Sequence, residues 1–159
     1  MSKLRSQLMW ASLALVAFVQ LVAFRSYVMD DSLISLRFAR NLLGGHGLVW
    51  NVGDGPVEGF TSFLWVLVLA LWQGVTRDPG IGFGRAAGIL LLVATVVLLG
   101  RHLARRHGHR AAALAVAPIA IGTPYLLNAV SGMETGLAVF LSAVAHLGMA
   151  GWVENRSRS

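Results

Sequence analysis

Apolar residues in this chain come in long, nearly unbroken runs, without the strict alternation of a half-buried strand. Five runs stand out, at about 8–28, 60–75, 81–100, 111–129 and 136–152. A helix must carry about 20 apolar residues to cross the hydrocarbon core of a bilayer. The second run is the weakest candidate. It is short, contains Thr61, Ser62 and Gln73, and carries aromatic side chains suited to an interface. The first run has to be told apart from a cleavable signal. Lys3 and Arg5 precede it, but it meets Arg25, Ser26, Tyr27 and Val28 without a small-x-small site, so a retained helix is expected.

Basic residues set the orientation. If all five runs crossed from a cytoplasmic N-terminus, the segment RHLARRHGHR at 101–110 would lie outside, against the rule that Lys and Arg stay inside. If the 60–75 run lies in the interface, the conflict disappears. Lys3, Arg5, the 101–110 segment and the tail with Arg156 and Arg158 then share the inner side. The expected architecture is therefore an all-α integral membrane fold, a single membrane domain over 1–159. It has about four transmembrane helices (8–28, 81–100, 111–129, 136–152) and both termini inside. An outer loop at about 29–80 carries juxtamembrane helices at about 31–43 and 60–75.

Composition agrees with a bilayer. Of 159 residues, 56% are hydrophobic and 13% charged, with a mean hydropathy of +0.68; a soluble domain carries about 25% charged residues. The net charge of +6 comes from one Lys and twelve Arg. Because the arginines flank apolar runs, they read as topology signals and lipid-headgroup contacts, and no nucleic-acid partner is expected. With no cysteine there is neither a disulfide framework nor a thiolate metal site.

The four-span arrangement gathers the acids. Asp30, Asp31, Asp54, Glu58 and Asp78 fall in the first outer loop and Glu134 in a short second loop, leaving Glu154 inside. Asp30 and Asp31 open a segment in which Ile34, Phe38 and Leu42 recur at helical spacing, with Gly44-Gly45 to end it. One carboxylate there is accounted for by N-capping; a second, adjacent and close to hydrocarbon, is costly and points to use. Arg37 and Arg40 lie further along the same helix. The Gly-rich segment that follows holds His46, Trp50, Asn51, Asp54 and Glu58, residue types that bind sugars and phosphates, although a plain connector would look similar. It matches neither a P-loop nor an EF-hand loop. Glu134 begins an apolar helix, where a first-turn carboxylate also suits the helix dipole.

The run from Asp30-Asp31 through Arg37-Phe38-Ala39-Arg40-Asn41, Gly45-His46-Gly47-Leu48-Val49-Trp50-Asn51 and Val57-Glu58-Gly59-Phe60-Thr61-Ser62 to Leu64-Trp65 resembles the N-terminal region of bacterial polytopic glycosyltransferases of the GT-C superfamily. It is most similar to the mycobacterial terminal arabinofuranosyltransferases. Ser131-Gly132-Met133-Glu134-Thr135 resembles their second-loop motif, with Met133 where Leu is usual, and Phe60 stands in place of a common Tyr.

The resemblance implies transfer of a sugar from a polyprenyl-phosphate donor to a glycan, lipid or protein acceptor at the outer face of the bacterial cytoplasmic membrane. It implies Asp30 or Asp31 as catalytic base and Glu134 in the same site. Arg37, Arg40, His46, Asn51, Asp54 and Glu58 are then substrate-binding candidates. A divalent cation between carboxylates and phosphate is compatible with these residues but not demanded by them, and no metal ligand set is identified. Such enzymes run to several hundred residues, so the chain is expected to correspond to an N-terminal portion: a fragment, one product of a split or frameshifted gene that a C-terminal partner polypeptide would complete, or a small stand-alone descendant. The rival reading is a non-catalytic membrane scaffold or assembly subunit that keeps this fold. A small transporter is set aside because the polar group noted inside the runs, Gln20, is uncharged.

Overall fold

The computed structural model describes residues 3–60 and 62–156; Arg158, counted above in the tail, lies outside them. It is all-helical: α1 (Lys3–Ala23), α2 (Asp30–Leu43), α3 (Phe63–Thr76), α4 (Ile81–Ile121), α5 (Thr123–Ser131) and α6 (Thr135–Arg156). By length and composition three of these, α1, α4 and α6, can cross a membrane, and α3 is a shorter apolar helix.

At 41 residues α4 is twice the length a bilayer needs. It is divided at Gly108, whose φ of 82° and ψ of 161° belong to a region that essentially only glycine occupies. The two arms fold back on one another, and the second continues into α5. Gly84 lies against Gly132 and Gly88 against Ala129, while Leu92 shares a buried cluster with Leu126. Each of these pairs is spaced almost evenly about Gly108, as an antiparallel hairpin requires. α1 runs antiparallel to the first arm, with Trp10 against Gly100 and Arg25 beside Arg85.

The stretch expected as one span over 111–129 is thus broken at Gly122. Pro124 lacks the N–H that would continue the ladder, and Gly122, with φ −69° and ψ 115°, is the extended residue at which the chain leaves one helix and caps the next. In hydrocarbon the freed backbone groups must be satisfied within the protein. Gln20 of α1 does this: its Nε2 donates to Ile121 O at 3.1 Å, and its Oε1 accepts from the Thr123 hydroxyl at 3.3 Å. Helix ends also shift from expectation. α1 stops at Ala23, short of residue 28, and α3 begins at Phe63, so residues 60–62 precede it.

Small residues hold the bundle together, since apolar side chains gain little by leaving lipid for protein. A methyl group on Gly88 would lie 2.9 Å from Ala129 O, and one on Gly136 would lie 2.8 Å from Gly88 O. Three helices therefore meet backbone to backbone. Next to this contact, α2 and α3 form a layer of their own around Phe38, Ala39, Trp65, Val66, Leu69 and Ala70, with Phe83, Ala87 and Leu137 of α4 and α6 packed beneath. α2 buries Ser32, Ser35 and Asn41 and exposes Leu33 and Leu43. Phe38 and Ala39 are buried beside these polar residues, while Asp30, Asp31 and Arg40 are exposed along with the two leucines.

Gly88→Val is expected to cost about 1–3 kcal/mol by overpacking, read as a lower melting midpoint in detergent. Gly82→Ala, where an added methyl meets nothing within 4 Å, should leave that midpoint unchanged or raise it.

Candidate active site

The acidic end of the molecule is assembled from three segments. The first is the start of α2. Its N-cap is Met29, which provides no side-chain cap, while Asp30 and Asp31 occupy the first helical turn and are exposed. The Ser32 hydroxyl donates 2.7 Å to Met29 O. Among the described residues no ion pair or hydrogen bond engages either aspartate side chain. N-capping therefore does not use these carboxylates, although both complement the helix dipole.

The second segment is the turn between α5 and α6. Gly132 takes a left-handed φ of 77° and closes α5 by donating to Ala129 O, and Met133 donates to Asn128 O. A Cβ at Gly132 would sit 3.2 Å from Arg85 N. Its carbonyl accepts from Nε1 of Trp65 at 3.1 Å, and Trp65 is 1% exposed. Glu134 follows, half-buried and engaged in a contact.

The third is the beginning of α4. Arg85 Nη1 donates to Arg25 O at 3.3 Å and Nη2 to Tyr27 O at 3.1 Å, three residues before Asp30. One guanidinium thus joins the lead-in to the Asp pair to the residue against which Gly132 rests. Pattern reading passes over Arg85 because it lies inside an apolar run, and it passes over Trp65 because aromatics there suit an interface. A lone Arg near the end of a span is the signal that was available for the former. Arg85, and His146 inside the last run, also remove the ground on which a transporter was set aside.

The first-loop candidates divide into two groups. Arg37 is committed to structure: Nε donates to Trp50 O at 2.7 Å, Nη2 bonds Asn51 Oδ1 at 2.6 Å, and the guanidinium stacks 4.2 Å from the Trp50 ring. Asn51 in turn donates 2.9 Å to Asp54 Oδ2, and Asn41 holds Val49 O and Trp50 O. These contacts fold the Gly-rich segment onto α2, aided by Phe38 packed edge-on to Phe60. Arg40 is exposed, and together with Arg37 it lines a cleft of about 500 Å³ with Leu33, Leu36, Leu43, Arg77 and Asp78. His46 and Glu58 are exposed in the loop. A wider apolar cleft of about 1200 Å³ between α1 and α4 ends near Arg101 and Arg110 and holds none of the candidate carboxylates. Among the described residues no group of three or more His, Asp or Glu converges as a metal site.

Comparison with known proteins bears on this arrangement. The chain is 35% identical over 137 residues to the terminal beta-(1->2)-arabinofuranosyltransferase of Mycobacterium tuberculosis, covering 81% of this chain and 21% of the relative. It is 32% identical over 142 residues to the enzyme of the same name from Corynebacterium glutamicum, covering 85% of this chain and 20% of the relative. This chain is their homologue. No family model matches it, and no solved structure does. It spans about a fifth of the length of these arabinofuranosyltransferases, and its long apolar helices mark it as a multi-pass membrane protein.

Gly132→Ala combines a left-handed φ, costing roughly 1–2 kcal/mol in an L-residue, with crowding against α4. Trp65→Phe strands the Gly132 carbonyl, at about 1–3 kcal/mol. Both are expected to lower the melting midpoint followed by tryptophan fluorescence in detergent, and an unchanged midpoint would show that the α3–turn contact carries no load.

Proposed function

We propose that this chain supplies the acidic wall of a glycosyl-transfer site. The site would use a sugar carried on a polyprenyl phosphate and an extracytoplasmic glycan, lipid or protein acceptor. The observation that carries the proposal is the open Asp30–Asp31 pair, joined through Arg85 to the turn that bears Glu134, in a homologue of arabinofuranosyltransferases.

An acceptor hydroxyl is a poor nucleophile until its proton is drawn away, and a positioned carboxylate contributes about 10²–10⁴-fold to such a step. Asp30 or Asp31 takes that proton as the hydroxyl oxygen bonds to the anomeric carbon. The bond from that carbon to the phosphate oxygen breaks, and the lipid phosphate leaves with the electron pair. Both helix arginines line the leucine-lined cleft with Arg77, and Arg40, which is exposed there, meets that phosphate. Arg37 instead holds the loop in shape. Glu134 shares the site, with His46, Asn51, Asp54 and Glu58 as loop contributors. In this reading the acids face outward, both termini are inside, and α5 with the second arm of α4 makes one broken crossing among four.

Two experiments test the reading. In membranes producing the chain, transfer from a polyprenyl-phosphate arabinofuranose donor should fall at least about 10²-fold in Asp30→Asn/Asp31→Asn; undiminished transfer refutes the base. Transfer that needs a co-produced partner polypeptide would fit the chain's coverage of about a fifth of its relatives. A partner-dependent activity insensitive to the double variant would favour the scaffold reading. For the topology, His107→Cys in intact cells should resist an impermeant maleimide, and labelling there would overturn the assignment of sides.

A further inference from the structure

The mechanism above leaves one buried polar group unused. Arg85 Nε is the buried side-chain nitrogen without a hydrogen-bond partner among the described residues, even though both terminal nitrogens of the same fork are engaged. Leaving such a donor unpaired costs about 1–3 kcal/mol. The fork is therefore held in place by what its two ends grip, not by satisfaction of the whole group. The ends grip main-chain carbonyls of the irregular stretch between α1 and α2, and the backbone N of Arg85 lies so near Gly132 that a Cβ there would come within 3.2 Å of it.

We infer that Arg85 is the positioning residue of the acidic site. Its guanidinium fixes where the aspartates stand relative to the Glu134 turn, and it does not itself meet substrate. This inference rests on the glycosyl-transfer reading only for its kinetic consequence.

The geometry explains why the task calls for arginine. Residues 24–29 have no regular structure to hold them. Local hydrogen bonds hold only the two ends of this stretch and one turn: Arg25 N to Val22 O at the end of α1, Tyr27 N to Phe24 O within the stretch, and Ser32 of α2 to Met29 O. The aspartate-bearing helix also reaches the bundle through Trp65 of α3, which bonds Gly132 O, and through the buried cluster it shares with Phe83, Ala87 and Leu137. Arg85 is the tie to the segment that leads into it. A planar fork reaches two carbonyls at once, with both bonds fixed in one plane. A lysine ammonium supplies the charge and reaches one carbonyl or the other, without that constraint.

The chain has no cysteine, so spin labels can be placed without background. With labels at Val28→Cys and Ala138→Cys, electron–electron distance measurement in nanodiscs should give one narrow distribution in the parent. Arg85→Gln should broaden it, and Arg85→Lys should broaden it to a lesser degree. A control pair at Leu98→Cys and Leu114→Cys, on exposed positions of the two α4 arms, reports the fold and should stay narrow in both. If Arg85→Gln disturbs the control pair as well, Arg85→Lys decides: an unchanged 28–138 distribution overturns the inference. In the transfer assay Arg85→Lys should lower kcat by about 10²-fold, the order of effect of a misplacement of about 1 Å, with the donor KM changed less than about threefold. A raised KM at constant kcat would make Arg85 a substrate ligand and overturn the positioning role. A parent chain without transferase activity, both alone and with the partner polypeptide co-produced, would refute the glycosyl-transfer reading while leaving the distance result to stand on its own.

Discussion

The close approach of α4 to the α5–α6 turn is the constraint from which the rest of the acidic end follows. Gly84 touches Gly132, and Gly88 sits between Ala129 and Gly136, so main chains meet with no side chain between them. In a bilayer such contacts count for more than apolar burial, because lipid already solvates leucine as well as protein does. Once these backbones meet, the Gly132 carbonyl lies within reach of Trp65, and Arg85 lies next to the turn that precedes Glu134. Larger residues at these positions would part the helices and separate the acidic segments by the same distance.

The outer layer is organised differently. α2 and α3 share a core of aromatic and aliphatic side chains like that of a soluble protein, with Phe38, Trp65, Val66 and Leu69 fully buried. The Gly-rich loop is drawn onto that core by polar ties from Arg37 and Asn41. Its shape therefore depends on hydrogen bonds to carbonyls, and its polar side chains are partly spent on holding it. The residues that remain open, Asp30, Asp31, Arg40, His46 and Glu58, are those the scaffold does not need, which strengthens their claim to a ligand.

Much of this was legible in the chain, for identifiable reasons. Run lengths announce membrane helices, and the unbroken basic segment at 101–110 marks one end. The Asp pair and Glu134 stand out because carboxylates are rare next to hydrocarbon. What escaped notice depends on contacts distant in sequence. The Gly108 turn is hidden between histidines and arginines that already explain themselves as topology signals. The break at Gly122 is written as Gly-Thr-Pro, but only the presence of Gln20 across the interface makes a break there tolerable. Arg37 looks like a phosphate ligand until Trp50 and Asn51 come round to meet it. Arg85 is a single charge in an apolar run, and its role rests on two carbonyls 58 and 60 residues earlier.

The amide of Gln20 has a consequence for how the protein is made. Its partners at Ile121 and Thr123 lie 101 and 103 residues downstream. At a synthesis rate of about 5–20 residues per second, α1 reaches the membrane roughly 5–20 s before they exist. Throughout that interval a polar amide sits near lipid with nothing to bond, and the later broken helix arrives with backbone groups equally unserved. Each is the other's remedy. The order of synthesis therefore separates insertion of α1 from closure of the fold on it, and the Gln20 contacts form only once the broken helix has been made.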